Sequence, residues 1–295
     1  MVKRNIRLIA LFLLSFLVTS SEASSNVSGA WTGSVGYDSS TGRITTDSEK
    51  PEGGSDTMYS TTLKLKMYKT GPSVLEYGFY KYWYQEQKDL NLYGQTLKGS
   101  HAWTRGNGKY LLTGVYDHYV WDGESYLEKT SLTPSYILVS GRKWVAFSLE
   151  YGRAHFLKNS GRTGSRIEGS VRVPILTGKL NRDIEAAIWH ASEDINSDLY
   201  RHDETGIEIA SRHDVFKHID TLNHGIRIMR RDYDTTSSRP EDRTDTRIEY
   251  SLGISRGIED NLQLRLDGKW IINNSNIQTE EYSKEAYTLS MIRSF

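Results

Sequence analysis

Three runs near the C-terminus, TRIEYSLGIS (246–255), LQLRLDGKW (262–270) and YTLSMIRSF (287–295), decide the fold. Each alternates residue by residue. Thr246, Ile248, Tyr250, Leu252 and Ile254 share one side of an extended chain, and Arg247, Glu249, Ser251, Gly253 and Ser255 share the other, because successive strand side chains point to opposite faces. Leu262, Leu264, Leu266, Gly268 and Trp270 repeat this against Gln263, Arg265, Asp267 and Lys269. Tyr287, Leu289, Met291 and Phe295 repeat it against Thr288, Ser290 and Ser294. A soluble sandwich has the same period, so alternation alone does not name the solvent on each side. Length does: segments of about ten residues suffice for a tilted strand to cross a hydrocarbon core of roughly 30 Å.

The terminal Phe295, preceded at alternate positions by Tyr287, Leu289 and Met291, resembles the closing strand of Gram-negative outer-membrane β-barrel proteins. Arg293 departs from that pattern, standing where those proteins usually carry an aromatic or aliphatic residue. The resemblance implies an all-β fold, a transmembrane antiparallel up-and-down β-barrel in the bacterial outer membrane. It further implies contact with outer-membrane lipid and lipopolysaccharide, and engagement of the C-terminal strand by the barrel-assembly machinery.

The N-terminus agrees with an exported protein. Lys3, Arg4 and Arg7 precede an apolar run at 8–18 and small residues at 19–25, the order of a secretory signal peptide. Cleavage is expected after Ala23, giving a signal peptide at 1–23 and a barrel at 24–295. Removing three of the 37 basic and one of the 37 acidic residues leaves 34 against 36, a formal charge of −2. Such a balance does not suggest a nucleic-acid partner, for which a clustered basic surface is expected. No cysteine is present, which excludes a disulfide framework and a thiolate metal site. With 37% apolar residues, the chain is too polar for a large soluble core, whereas a barrel needs only an apolar band outside. Nineteen tyrosines and seven tryptophans fit membrane interfaces, where a ring sits in apolar material and its polar tip in water.

Read in order, strands are expected at 30–37, 57–69, 74–85, 91–103, 109–121, 125–139, 143–155, 165–176, 182–192, 200–211 and 215–232, followed by the three closing strands. That makes 14, with 12 or 16 also compatible. Long connections at 38–56, 233–245 and 273–286 follow odd-numbered strands, and uniformly short ones follow even-numbered strands, as in bacterial barrels that begin and end on the periplasmic side. The loops at 38–56 and 233–245 are long enough to fold inward. Pro134 is a blemish that marks a bulge or an early strand end. In the third strand Tyr77, Phe79 and Trp83 share one face, while Tyr80, Tyr82 and Tyr84 share the other. Such a double aromatic face is expected to give an interface girdle outside and a packed or sugar-binding stripe inside.

The residues expected to line a pore are Lys64, Lys66, Glu150, Arg227, Arg247, Glu249, Arg265, Asp267 and Lys269, a set of mixed sign. They either pair to stiffen the wall or set the field of a diffusion pore. His190 and Ser192 stand two apart on one face and resemble the His-x-Ser spacing of outer-membrane phospholipase, with Glu193-Asp194 where that family carries Asn-Gly. They read as ordinary polar residues near a loop. His202, His213, His218 and His224 crowd one region with Asp203, Glu204 and Asp214, but match no compact metal motif or omptin-like protease arrangement. No metal, cofactor or catalytic residue is assigned. At lower specificity, Gly36-Tyr37-Asp38-Ser39-Ser40, the Tyr-rich strands, Asn274-Ser275-Asn276 and Tyr282 resemble the barrels of surface lipoprotein assembly modifiers. A helical-repeat domain precedes the barrel in that group, and none is expected here. The expected function is a channel or translocation pore for small hydrophilic solutes or a polymer. The alternatives are a barrel hydrolase acting on lipid or peptide, and a closed structural or assembly barrel.

Overall fold

The computed structural model describes residues 26–39, 55–68, 72–86, 91–121, 123–141, 143–157, 160–179, 182–197, 200–214, 220–234 and 242–295. They form fourteen strands: β1 (Asn26–Asp38), β2 (Asp56–Tyr68), β3 (Ser73–Tyr84), β4 (Leu92–Arg105), β5 (Gly108–Trp121), β6 (Glu124–Ser140) and β7 (Lys143–Phe156), then β8 (Gly164–Lys179), β9 (Arg182–Ile195), β10 (His202–His213), β11 (Thr221–Tyr233), β12 (Arg243–Glu259), β13 (Leu262–Ser275) and β14 (Tyr282–Ser294). Each strand pairs with its sequence neighbours, and β14 pairs with β1, so the sheet closes on itself as an antiparallel barrel. Closure leaves no unpaired edge, the condition for placing strands in hydrocarbon. The seam runs from Ala30 opposite Ser294 to Asp38 opposite Ala286. Beyond it, the Gly29 amide donates to the Phe295 carbonyl at 2.8 Å, and the Phe295 amide donates back at 2.9 Å. The Phe295 ring lies over Gly29, where a Cβ would collide with it.

Contacts that skip a strand identify the concave face, because only there do side chains from non-adjacent strands converge. Tyr80 on β3 meets Tyr119 on β5 at 5.9 Å, Arg166 on β8 reaches Glu204 on β10 at 3.1 Å, and Arg227 on β11 covers the Trp189 ring on β9 at 4.3 Å. All six residues belong to the polar alternation. The other alternation therefore faces out, and its apolar members are solvent-accessible: Leu149 by 54%, Ile188 by 57%, Leu266 by 52%. An apolar band this continuous around a barrel is a membrane-facing surface. Outward aromatics cluster near both rims. Tyr59 stacks on Trp83 and Trp270 contacts Tyr250 and Tyr287 toward the loop end, while Trp103 stacks on Tyr110 beside Tyr136 toward the turn end.

Both chain ends of the sheet, Asn26 and Ser294, lie at the turn end. One connection departs from the expected alternation of lengths. β5 and β6 join at the loop end through the short turn 122–123, as expected, whereas β10 and β11 join at the turn end through 214–220, as long as the loops 85–91 and 157–163. The even-numbered connections are thus not uniformly short, and β11 begins at Thr221 instead of 215. Residues 215–219 lie outside the described residues, as do the signal peptide at 1–23 and most of the long loops, 40–54 and 235–241. Pro134 neither ends its strand nor shifts its register. It pairs with Leu112, and the ladder to β7 lapses at 133–134 and resumes unchanged from Leu132 opposite Tyr151 to Ser135 opposite Ser148. The proline that does mark a bulge is Pro174, where the β8–β9 register shifts before Leu176.

Candidate functional site in the barrel interior

The inner alternation carries all nine charged residues singled out in the sequence: Lys64 and Lys66 on β2, Glu150 on β7, Arg227 on β11, Arg247 and Glu249 on β12, and Arg265, Asp267 and Lys269 on β13. The structure brings some together. Glu249 accepts Arg247 at 2.6 Å and Lys269 at 3.0 Å, and Arg265 meets Asp267 at 2.7 Å. Lys66 pairs with Glu76, which also takes Lys98, so β2, β3 and β4 share one carboxylate. Glu150 stands apart from these, accepting Thr133 Oγ1 at 3.2 Å. Lys64 lies between Ala30 and Gly78 on the wall and is exposed.

Glu204 on β10, a densely connected interior residue, was not in that set. Its carboxylate accepts Arg231 Nε at 2.8 Å, Arg166 Nη2 at 3.1 Å and the Trp189 indole N–H at 2.9 Å, with Arg227 at 3.7 Å. Arg166 also binds Glu193 at 2.7 Å and Glu168 at 2.8 Å. Gly206 makes this possible: with no Cβ there, the Trp189 indole lies flat on the wall below Arg227. In the sequence Glu204 is one acidic residue among several near four histidines. Alternation of small and charged residues around it gave no sign that two strands, β8 and β11, deliver three arginines to it.

The histidines of that region separate. His202 is inside, its ring 4.9 Å from that of Tyr233, while His213 and His224 meet on the outer face beside Ser211. His218 lies outside the described residues. Among the described residues no group of three or more histidines and carboxylates converges as a metal site. His190 and Ser192 are also on the outer face, and His190 Nδ1 bonds to Thr205 Oγ1 at 2.9 Å.

Across the lumen from this charged arc, β3 to β7 present aromatics. Tyr80 contacts Tyr82 and Tyr119 edge to face at 5.6 and 5.9 Å. Trp121, Tyr126 and Phe156 continue the row at 5.0 and 5.6 Å, closing over Leu127, which is fully buried. A one-residue bulge between Tyr119 and Val120 admits Tyr126 to this inward cluster, where strict alternation from Leu132 and Pro134 would send it outside.

The interior is graded along its axis. Lys66 near the turn end and Lys98 and Lys269 at mid-strand expose 41%, 40% and 47% of their side chains, whereas near the loop end Glu204 and Arg231 expose 2% and 5%. A cavity of about 640 Å³ opens among Asp183, Glu185, Glu208, Arg212, Arg265 and Lys269 on β9 to β13. A smaller one of about 210 Å³ lies higher, bounded by Asp117, Lys129, Glu150, Arg166 and Glu193. The described interior thus holds a larger space, the basin, toward the turn end and a smaller one higher up, within a collar of aromatics on one wall and paired charges on the other.

No family model and no curated protein sequence matches this chain. Solved structures do. The anion-selective porin from Comamonas acidovorans is similar with a TM-score of 0.52 at 8% identity, over 93% of this chain and 100% of that one. In-vitro folded OmpT, an outer membrane protein of Vibrio cholerae, gives 0.51 at 8% identity over 93% and 100%, and Acinetobacter baumannii OccAB4 gives 0.51 at 10% identity over 93% and 99%. At such identities the likeness establishes architecture: the chain has the fold of Gram-negative outer-membrane β-barrels.

Proposed function

We propose that this barrel is an outer-membrane channel passing small hydrophilic solutes. The observation that carries the reading is the turn-end basin of about 640 Å³ walled by charges of both signs. A closed structural barrel would fill such a space with packed side chains. Fourteen strands enclose a wide enough cylinder for a lumen, and the likeness to porins at fold level is consistent with one. The nine inner-face charges would be pore-lining. Because cationic and anionic groups neutralise one another along the wall, the channel discriminates little between anions and cations. In this setting the outer band meets lipid, with lipopolysaccharide at the loop end, and the C-terminal strand ending in Phe295 is what the barrel-assembly machinery engages.

Single-channel recording of the refolded protein in a planar bilayer tests this. Stable conductance steps are expected, with a reversal potential near zero under a salt gradient. Replacing Arg265 and Lys269 with glutamate is expected to move that potential toward cation selectivity. A heat-modifiable, inserted barrel that stays electrically silent overturns the channel reading in favour of a closed one.

A further inference from the structure

The collar has a composition that a simple ion pore does not need. Tyr80, Gly94 and Tyr119 occupy one row across β3, β4 and β5, since Tyr80 is opposite Gly94 and Gly94 opposite Tyr119. A Cβ at 94 would run into the Tyr80 ring, so that ring lies flat across the glycine, one face on the wall and both neighbours meeting it edge-on. Tyr80 and Tyr119 are only half-buried. The result is an aromatic platform tangential to the barrel wall.

The next row toward the turn end, Gly78, Thr96, Asp117 and Lys129, is polar. Thr96 Oγ1 donates to Asp117 at 2.5 Å. Rows on one face of a strand are about 7 Å apart, so a ring resting on the platform brings its edge to Asp117 and Lys129. Those two residues also bound the 210 Å³ cavity, together with Glu150, Arg166 and Glu193.

A ligand matching both rows has a flat C–H face and a rim of hydroxyls able to donate and accept. It carries no net charge, because anionic and cationic groups are mixed around the cavity. A pyranose sugar meets these conditions. An inorganic ion makes no use of the platform, and an apolar molecule strands the charged row without partners. Resting on the channel reading, we infer that Tyr80 and Tyr119 form a carbohydrate-stacking subsite, with Asp117 and Lys129 bonding the sugar hydroxyls.

Isothermal titration of maltotriose into the refolded, detergent-solubilised protein tests the site without needing conductance. Saturable binding is expected, weakened about tenfold by Tyr80→Ala and by Tyr119→Ala, a difference well within calorimetric resolution. Tyr80→Phe keeps the platform and is expected to bind as wild type. Gly94→Ala keeps both tyrosines and a foldable strand but lifts the Tyr80 ring off the wall, and is expected to weaken binding as Tyr80→Ala does. No saturable heat, equal affinity in all four variants, or equal heat from a polyethylene glycol of the same hydrodynamic size overturns the subsite. Parallel bilayer recording separates the two readings. Sugar binding by an electrically silent barrel overturns the channel and keeps the site, whereas conductance without sugar binding keeps the channel and overturns the site.

Discussion

At the scale of single residues, the interior contrasts two kinds of ion pair. Glu204 exposes 2% of its side chain and Arg231 5%, at 2.8 Å from each other, whereas Lys66 and Glu76 expose 41% and 36% at 3.3 Å. In water the second kind contributes about 0–1 kcal/mol, because solvent screens it and two long side chains lose freedom. For the first kind, removing one partner strands a charge out of water, which costs on the order of 3–5 kcal/mol. Glu204→Gln retains an acceptor for Trp189 but leaves Arg231 and Arg166 facing a neutral group. It is expected to lower unfolding stability in urea by that larger amount, while Glu76→Gln changes the midpoint little. Converting Glu204 and Arg231 together to leucine and methionine is expected to recover most of the loss. Equal effects of the two single substitutions would refute a buried hub. The charge of Glu204 is plain in the sequence, but its partners come from β8 and β11, and no local spacing encodes a contact across two strand registers.

At the scale of elements, periodicity carried most of the information and irregularity the rest. Strands with a clean period of two, such as Leu262–Ser275, are legible because one face must be apolar. Boundaries near β11 are not, since Val215 and Phe216 extend the apolar pattern beyond the residue at which the ladder begins. Prolines were equally ambiguous. Both Pro134 and Pro174 lack an amide donor, yet only Pro174 coincides with a register shift. At Pro134 the sheet holds register and forgoes pairing with β7, leaving the position opposite Leu149 without a donor. Pro134→Val restores an N–H and places a β-branched side chain on the outer face, where it packs well. Each recovered hydrogen bond contributes about 0.5–1.5 kcal/mol, so slower unfolding in detergent is expected. Unfolding at the wild-type rate or faster would mean that β6 and β7 are held apart there by something other than the proline.

At the scale of the whole molecule, the fold rests on one geometric fact: neighbouring residues of every strand meet different solvents. That fact was legible, because alternation of Ile207 with Glu208, or Leu266 with Asp267, repeats around the chain. The axial grading from basin to collar was not, because it depends on how far each strand is offset from the next, and one strand's pattern carries no offset. Ile207 and Glu208 give the most direct test of the two-solvent arrangement. Both lie mid-strand in β10, Ile207 outward and 48% exposed, Glu208 lining the basin. Arginine at 207 would sit in hydrocarbon and is expected to cost about 2–4 kcal/mol, with less if it reaches an interface. Arginine at 208 stays in water among charges of both signs and is expected to shift stability by less than about 1 kcal/mol. Reversible folding into lipid vesicles, read by tryptophan fluorescence, measures both. The sign of the difference matters more than its size, because away from the bulges the inward and outward assignments follow from the same parity. A greater loss at 208 than at 207 would turn the barrel inside out.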